Sequence, residues 1–243
     1  MTTIFLAIQD SESRRWSPVA KVSLVDSIYR LVYTQGAWNV PGFSGFSRMQ
    51  NLEEEYRSLE IFPILKNRTL PRSRPEFEKY LTWLGIHRAE HTELSELARS
   101  GGLRATDEIE LIPVPEKLAD GSFEAYFFAR GASHMPEQTA LQIGVSDRLY
   151  VMRDFQNPKD SAALLLRTGD PISLVGYAPR YYSEYLSQLA SKCSPSEFVV
   201  SVERVNREAP TAYRILCKVS APWVDELDAF QGADFKEIPR VSE

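Results

Sequence analysis

Several absences narrow what this sequence can do. Its 243 residues contain no apolar run approaching the ~18 needed to cross a membrane. Only two cysteines occur, Cys193 and Cys217. They are too few for a disulfide scaffold and too far apart for a CxxC metal pair, so two buried thiols in a reducing compartment are expected. The glycine-rich phosphate cradles GxxxxGK[ST] and GxGxxG are missing, as is the GxSxG nucleophile elbow. Histidine is scarce, with only His87, His91 and His134. The four-residue step from His87 to His91 is one a helical metal pair would use, but Arg-Ala-Glu lies between them and the stretch follows Gly85, between two helical segments. A solvent-exposed loop without metal is the expectation. Nothing here supports catalysis or a cofactor, and a non-enzymatic role is expected. A surplus of positive charge is absent as well. Lys and Arg number 28 against 33 Asp and Glu, a net charge of −5, which argues against coating nucleic acid by bulk charge but leaves room for a local basic pocket.

What is present is an ordinary globular balance, 43% hydrophobic and 25% charged, which excludes a disordered or coiled-coil chain. The start, Met1 to Asp10, has no basic region and its apolar run stops at Gln9. It reads as a first strand rather than a signal peptide, and a cytoplasmic location is expected. An apolar run predicts a strand at Ile4–Ile8, and period-two alternation predicts strands at Val19–Val25 and Ile28–Tyr33, with Asp26-Ser27 as a hairpin turn. Glu53-Glu54-Glu55 reads as a solvated helix face. Ser73 to Gly85 predicts a helix with Ser73 as cap and Phe77, Leu81 and Leu84 on one face. Thr92 caps a second short helix through Leu97, and Ile109–Val114 reads as a strand. With Pro113 just before it, the segment 115–121, Pro115 and then polar residues, is the predicted linker between a domain at 1–114 and a second at 122–221, with 222–243 as a tail. The second domain predicts strands at Phe123–Ala129, Arg148–Arg153, Ala162–Arg167, Ile172–Val175, Phe198–Val205 and Thr211–Val219. One helix opens at Pro179 and carries Tyr182, Tyr185, Leu186 and Leu189. The fold class expected is α+β: a small antiparallel sheet with helices, then a small β-barrel with one helix.

Two groups of residues could carry binding. Lys66, Arg68, Arg72 and Arg74 cluster beside Pro71 and Pro75 ahead of a helix start, a setting that attracts a phosphate or an acidic partner, unless Glu76 and Glu78 neutralise them. In the second, a strand ending at Arg153-Asp154 leads into the turn Asn157-Pro158-Lys159-Asp160, and Gly176-Tyr177-Ala178-Pro179-Arg180 makes a second turn into the helix. A closed antiparallel sheet would bring Asn157, Lys159, Asp160, Tyr177 and Arg180 to one rim.

That pairing of turns resembles the HIRAN domain. The family pattern R-[DE]-x-x-N-P-x-D-x-x-A-[LIV] is matched from Arg153 through Asn157, Pro158, Asp160 and Ala163 to Leu164, and the V-G-Y-x-P-R-like turn by Val175 to Arg180. Arg130-Gly131 and His134 fit the family's first strand. The resemblance covers about 122–219 and implies a barrel that grips the 3′ end of single-stranded DNA. It implies that Asp160 meets the terminal hydroxyl, that Asn157 makes the adjacent polar contact, and that Tyr177 and Arg180 touch bases or backbone, with Arg153 in the same motif. Lys159 stands where relatives have a stacking Tyr, and Ser133-His134 where they have an Arg-Tyr pair. Between 141 and 190 acids and bases balance, so binding is expected to be weak and salt-sensitive.

Residues 3–114 resemble the N-terminal subdomain of HipA-type kinases, through Tyr33-Thr-Gln-Gly36, Phe62 to Asn67, and Glu96 to Gly101 before the last strand. That likeness implies docking onto a kinase or another protein partner, with Trp38, Phe43, Phe46 and Trp223 as candidate contacts. The functional expectation is a non-catalytic DNA-end-binding protein with a partner-docking half. The alternative is an interaction subunit of a HipA-type toxin–antitoxin or phage-defence assembly that does not bind DNA.

Overall fold

The computed structural model describes residues 2–10, 15–104, 108–131, 142–158 and 160–239. It is α+β, as expected, with two antiparallel sheets among the described residues. The chain divides into two compact units: Met1–Phe77 with Ala89–Val114 and Phe230–Glu243, and Glu78–Arg88 with Pro115–Ala229.

In the first unit β1 (Thr3–Gln9), β2 (Trp16–Val25), β3 (Ile28–Tyr33), β4 (Glu55–Ser58) and β5 (Ile109–Pro113) pair in the order β4-β3-β2-β1-β5. Alternation dictates the inward face, which buries Ile4, Leu6, Val22, Leu31 and Leu111 in one cluster. Asp26 and Ser27 join β2 to β3 with φ of 49° and 64°, the two positive values that a right-twisted two-residue hairpin needs. Helices α1 (Pro63–Lys66) and α3 (Glu93–Ser100) accompany this sheet, while α2 (Phe77–Leu84) leaves the first unit after Phe77. Thr92 and Ser95 cap α3 reciprocally, Gly101 ends it at φ 73°, and its Leu94 and Leu97 enter the sheet's core.

Four expectations about residues 53–96 and the C-terminal segment differ from what is found. The helix expected from Ser73 begins at Phe77, because turns closed by Arg74 N–H on Pro71 C=O and by Phe77 N–H on Arg74 C=O occupy the preceding residues. The acidic run at 53–55 is no helix face. Glu55 lies in β4 opposite Val32, and its nearly buried carboxylate accepts from Arg30 Nε at 2.7 Å and from Arg57. His91 is not in an exposed loop. Its ring, 3% exposed, contacts the carboxylate of Glu96, itself 1% exposed, at 2.8 Å. Arg72 Nη2 lies 3.2 Å from the His91 Nδ1. Arginine only donates, so Nδ1 accepts and Nε2–H donates to Glu96, whose other oxygen accepts the Leu70 N–H at 2.7 Å. Burial pushes the Glu96 carboxyl above its ordinary value, against the opposing hydrogen bond from His91.

The fourth difference is the expected tail. Phe230 and Ile238 are buried in the first unit, Ile238 N–H donates to Tyr33 C=O at 2.9 Å, and Phe230 and Phe235 pack edge-on against Phe5. Glu237 secures this return, accepting from Arg30 at 2.9 Å and Lys21 at 3.1 Å. The Arg30 hydrogen bonds, foremost, hold the Glu237 carboxyl below its ordinary 4.5. A depressed carboxylate stabilises the fold above its unfolded-state value, and that contribution is lost as pH falls through the folded-state value. Urea unfolding of wild type and Glu237→Gln should therefore differ at neutral pH and converge as pH falls below the ordinary 4.5 and through the lower folded-state value. A constant gap between the two curves would contradict the assignment.

In the second unit β6 (Ser122–Phe128), β7 (Arg148–Arg153), β8 (Leu164–Arg167), β9 (Leu174–Tyr177), β10 (Val199–Val205) and β11 (Ile215–Pro222) run in the order β6-β11-β10-β7-β8-β9. The sheet curls until its edges meet. Arg130, just past β6, and Tyr177, ending β9, exchange both backbone hydrogen bonds at 2.8 Å. Helix α4 (Arg180–Lys192) fills the curl with Tyr182, Tyr185, Leu186 and Leu189, all buried. Tyr185 meets Phe123 edge-on at 5.6 Å and Tyr182 meets Phe127 at 6.5 Å. Each such side chain contributes about 1.5–3 kcal/mol. Cys217, in β11, is wholly buried with its thiol pushed up to about 12, whereas Cys193, after α4, is only half-buried. Residues 78–88, expected in the first domain, belong here. Leu84 packs with Phe128 and Leu216, and Asn206 Nδ2 donates to Trp83 C=O at 2.9 Å.

Candidate nucleic-acid interface

The sequence Arg153 to Leu164 folds into a turn because its own side chains replace the ladder hydrogen bonds that β7 and β8 give up there. Asp154 Oδ1 accepts from Gln156 N–H at 3.2 Å, and Asn157 Oδ1 accepts from Asp160 N–H at 3.1 Å. Asp160 Oδ1 in turn accepts from Ala162 N–H at 2.9 Å. These are Asx-type turns, each short polar side chain satisfying a backbone donor two or three residues on.

The second turn is fixed by the seam. Gly176 has φ 148°, and a Cβ there would lie 2.6 Å from Arg130 C=O, so only glycine lets β9 close on the end of β6. Closure delivers Tyr177 to the first turn, where its hydroxyl donates to Asp154 Oδ2 at 2.9 Å beside the Asn157 amide at 3.4 Å. That hydrogen bond, and then burial, raise the Tyr177 phenol above its ordinary value. Ser183, in the first turns of α4, donates to Asp160 Oδ2 at 3.4 Å. The two turns are therefore joined at two points, as the closed-sheet expectation requires. Asn157, Asp160 and Tyr177 are half-buried, while Arg153 and Arg180 are exposed, Arg153 lying over the Phe155 ring at 5.3 Å. Lys159 and His134 lie outside the described residues. Among the described residues Asp160 keeps acceptor capacity, because one oxygen serves Ala162 and the other holds a single long hydrogen bond.

The basic residues of the first unit do not converge. Lys66 pairs with Glu60 at 3.2 Å, Arg74 with Glu76 at 3.9 Å, Arg68 donates to Gly102 C=O at 2.8 Å, and Arg72 serves His91. Among the expected aromatic contacts Trp38 stands 60% exposed; Phe46 is buried, and Phe43 and Trp223 are half-buried. No group of three or more His, Cys, Asp or Glu is placed to hold a metal ion among the described residues, and no described helix is long and apolar enough to cross a membrane. Sequence reasoning missed Ser183, whose role appears only when α4 is laid against the Asp160 turn. It also missed the outer face of β7, although the alternation Arg148, Tyr150, Met152 was there to be read.

Residues 122–224 match the family model of the HIRAN domain, from the first residue of β6 to just beyond β11. The crystal structure of the HIRAN domain of human HLTF is similar at 14% identity over 44% of this chain and 76% of that one, with a TM-score of 0.32. No curated protein matches the chain. These similarities do not show the expected likeness of residues 3–114 to HipA-type kinases.

Proposed function

With residues 122–224 matched as a HIRAN domain, we propose that this protein recognises the 3′ end of single-stranded DNA without catalysing a reaction, and that its first unit docks a partner. The observation that carries the reading is the joining of the two turns, Tyr177 to Asp154 at 2.9 Å and Ser183 to Asp160 at 3.4 Å. It ties Asp160 to α4, the helix whose first residue is the exposed Arg180. A terminal 3′-hydroxyl is a donor, which a carboxylate accepts; the phosphate preceding it suits Arg180 and the positive end of the helix. Tyr177, tied by its hydroxyl, holds its ring at the same rim. The balance of charge in the region keeps affinity modest and salt-dependent.

Fluorescence anisotropy at low salt with oligonucleotides bearing a free or a phosphorylated 3′ end tests this. Wild type should favour the free end at least about tenfold, roughly 1.4 kcal/mol. Asp160→Asn, which still accepts from Ala162, should lose most of that preference. Equal affinity of wild type for both ends would overturn the reading. The docking role rests on Trp38. If the chain ignores every oligonucleotide yet forms a stoichiometric complex with a HipA-type kinase, the interaction-subunit alternative replaces it.

A further inference from the structure

We propose that the outer face of β7, β8 and β9 is a second contact surface, which holds the single strand leading away from the bound 3′ end. It extends the end-binding reading and rests on it. The strand register defines the surface. Tyr150 faces Arg167 and Met152 faces Leu165 across β7 and β8; Leu165 faces Tyr177 and Arg167 faces Leu174 across β8 and β9. Tyr177, at the end site, thus shares a face with Tyr150, one row of about 6.6 Å along the strands and two spacings of about 4.8 Å across them.

The chemistry of that face suits a polynucleotide. The guanidinium of Arg167 lies 4.8 Å from the Tyr150 ring centroid and that of Arg148 5.6 Å, one tyrosine between two cations. Arg167 is also steadied by Thr168 C=O at 2.8 Å, and Arg148 by Pro195 C=O. Among the described residues neither has a carboxylate partner, whereas Arg15, Arg30, Arg57 and Arg88 all do. The acids alongside are engaged by other donors, Asp147 by Gly144 N–H at 2.7 Å and Asp154 by Tyr177. Tyr150 and Met152 nevertheless remain 42% and 45% exposed. An aromatic platform flanked by unneutralised arginines offers stacking to a base and charge to its phosphates, which is how single strands are held without reading sequence. A protein partner would have to neutralise both guanidiniums; a phosphate backbone brings that charge at every nucleotide. At the far end a groove of about 280 Å³, lined by Arg148, Tyr150, Asp170 and Pro171, ends the path, since Asp170 repels a polyanion.

The test uses the full chain and 3′-hydroxyl oligothymidylates of about three and about ten nucleotides, at two salt concentrations. Wild type should bind the longer about tenfold more tightly. Tyr150→Ala with Arg167→Gln should remove that gain, leave the short oligonucleotide's affinity unchanged and reduce the salt slope by about one. Tyr150→Phe, which keeps the ring, should retain the gain. Tyr150 is exposed and Arg167 half-buried, and an unchanged melting curve verifies folding. Equal wild-type affinity for the two lengths, or a gain that survives the double variant, overturns the surface while leaving the end site standing. Failure of wild type to bind either length removes both.

Discussion

Alanine at position 176 should unzip the barrel seam. Its Cβ would lie 2.6 Å from Arg130 C=O, a backbone atom that cannot swing aside, and 3.2 Å from the Ala129 Cβ, at a φ of 148° that L-residues rarely adopt. Strain and overpacking together are expected to cost about 2–4 kcal/mol. They fall on the residue before Tyr177, whose backbone makes the closing hydrogen bonds and whose hydroxyl joins the two turns. Urea unfolding of Gly176→Ala should show that loss, and binding of a 3′-hydroxyl oligonucleotide should fall by at least tenfold, about 1.4 kcal/mol. Gly121→Ala is the control. Its φ of 79° is also positive, but a Cβ there meets nothing within 4 Å, so only the conformational strain of about 1 kcal/mol is expected, without loss of binding. If the two variants behave alike, the seam does not hold the site together.

Glu96→Ala should be the most damaging substitution in the first unit, by about 3 kcal/mol. The carboxylate is the shared acceptor for the His91 Nε2–H and the Leu70 N–H, and its removal strands both donors in the core. Glu96→Gln tells a packing role from an accepting one. A carboxamide has one oxygen, and its NH₂ would face either the Leu70 N–H or the His91 N–H, because Arg72 holds His91 with Nδ1 as acceptor. Gln is therefore expected to recover the volume but still to cost about 1–2 kcal/mol. Thermal unfolding of the three chains measures both, and a Gln variant as stable as wild type would show that the double acceptance is not needed.

Both sheets were legible from apolar runs and period-two alternation between turn residues; β1, β2, β3, β6 and β7 lie within three residues of where those patterns put them. The strand at Glu55–Ser58 was hidden by its composition. A run of acids reads as solvated, and Glu55 becomes a nearly buried, paired residue only when Arg30 on the neighbouring strand and Arg57 on its own meet its carboxylate. His91 was hidden in the same way, because a histidine five residues from a glutamate announces nothing until Phe77 and α3 close over it. At the candidate interface the local motifs were readable, since Asn157 and Asp160 do turn chemistry within a few residues of themselves. What joins the two turns was readable only in part. The Tyr177 contact with Asp154 spans 23 positions and depends on a sheet closing on itself, and the Ser183 contact with Asp160 on where a helix comes to rest. The scattered pairing of Lys66, Arg68, Arg72 and Arg74 is non-local in the same sense, since Gly102 and His91, which claim two of them, lie beyond α1.

The two units are interleaved along the chain, which passes between them at 77/78, 88/89, 114/115 and 229/230. A cut in the 115–121 segment would take Leu84 and the Trp83 carbonyl from the barrel, and Ile238 and Glu237 from the opening sheet. Order of synthesis matters for the same reason. The sheet begun by the earliest strands must wait, unfinished, until residues 230–239 leave the ribosome, so the half translated first is the half completed last.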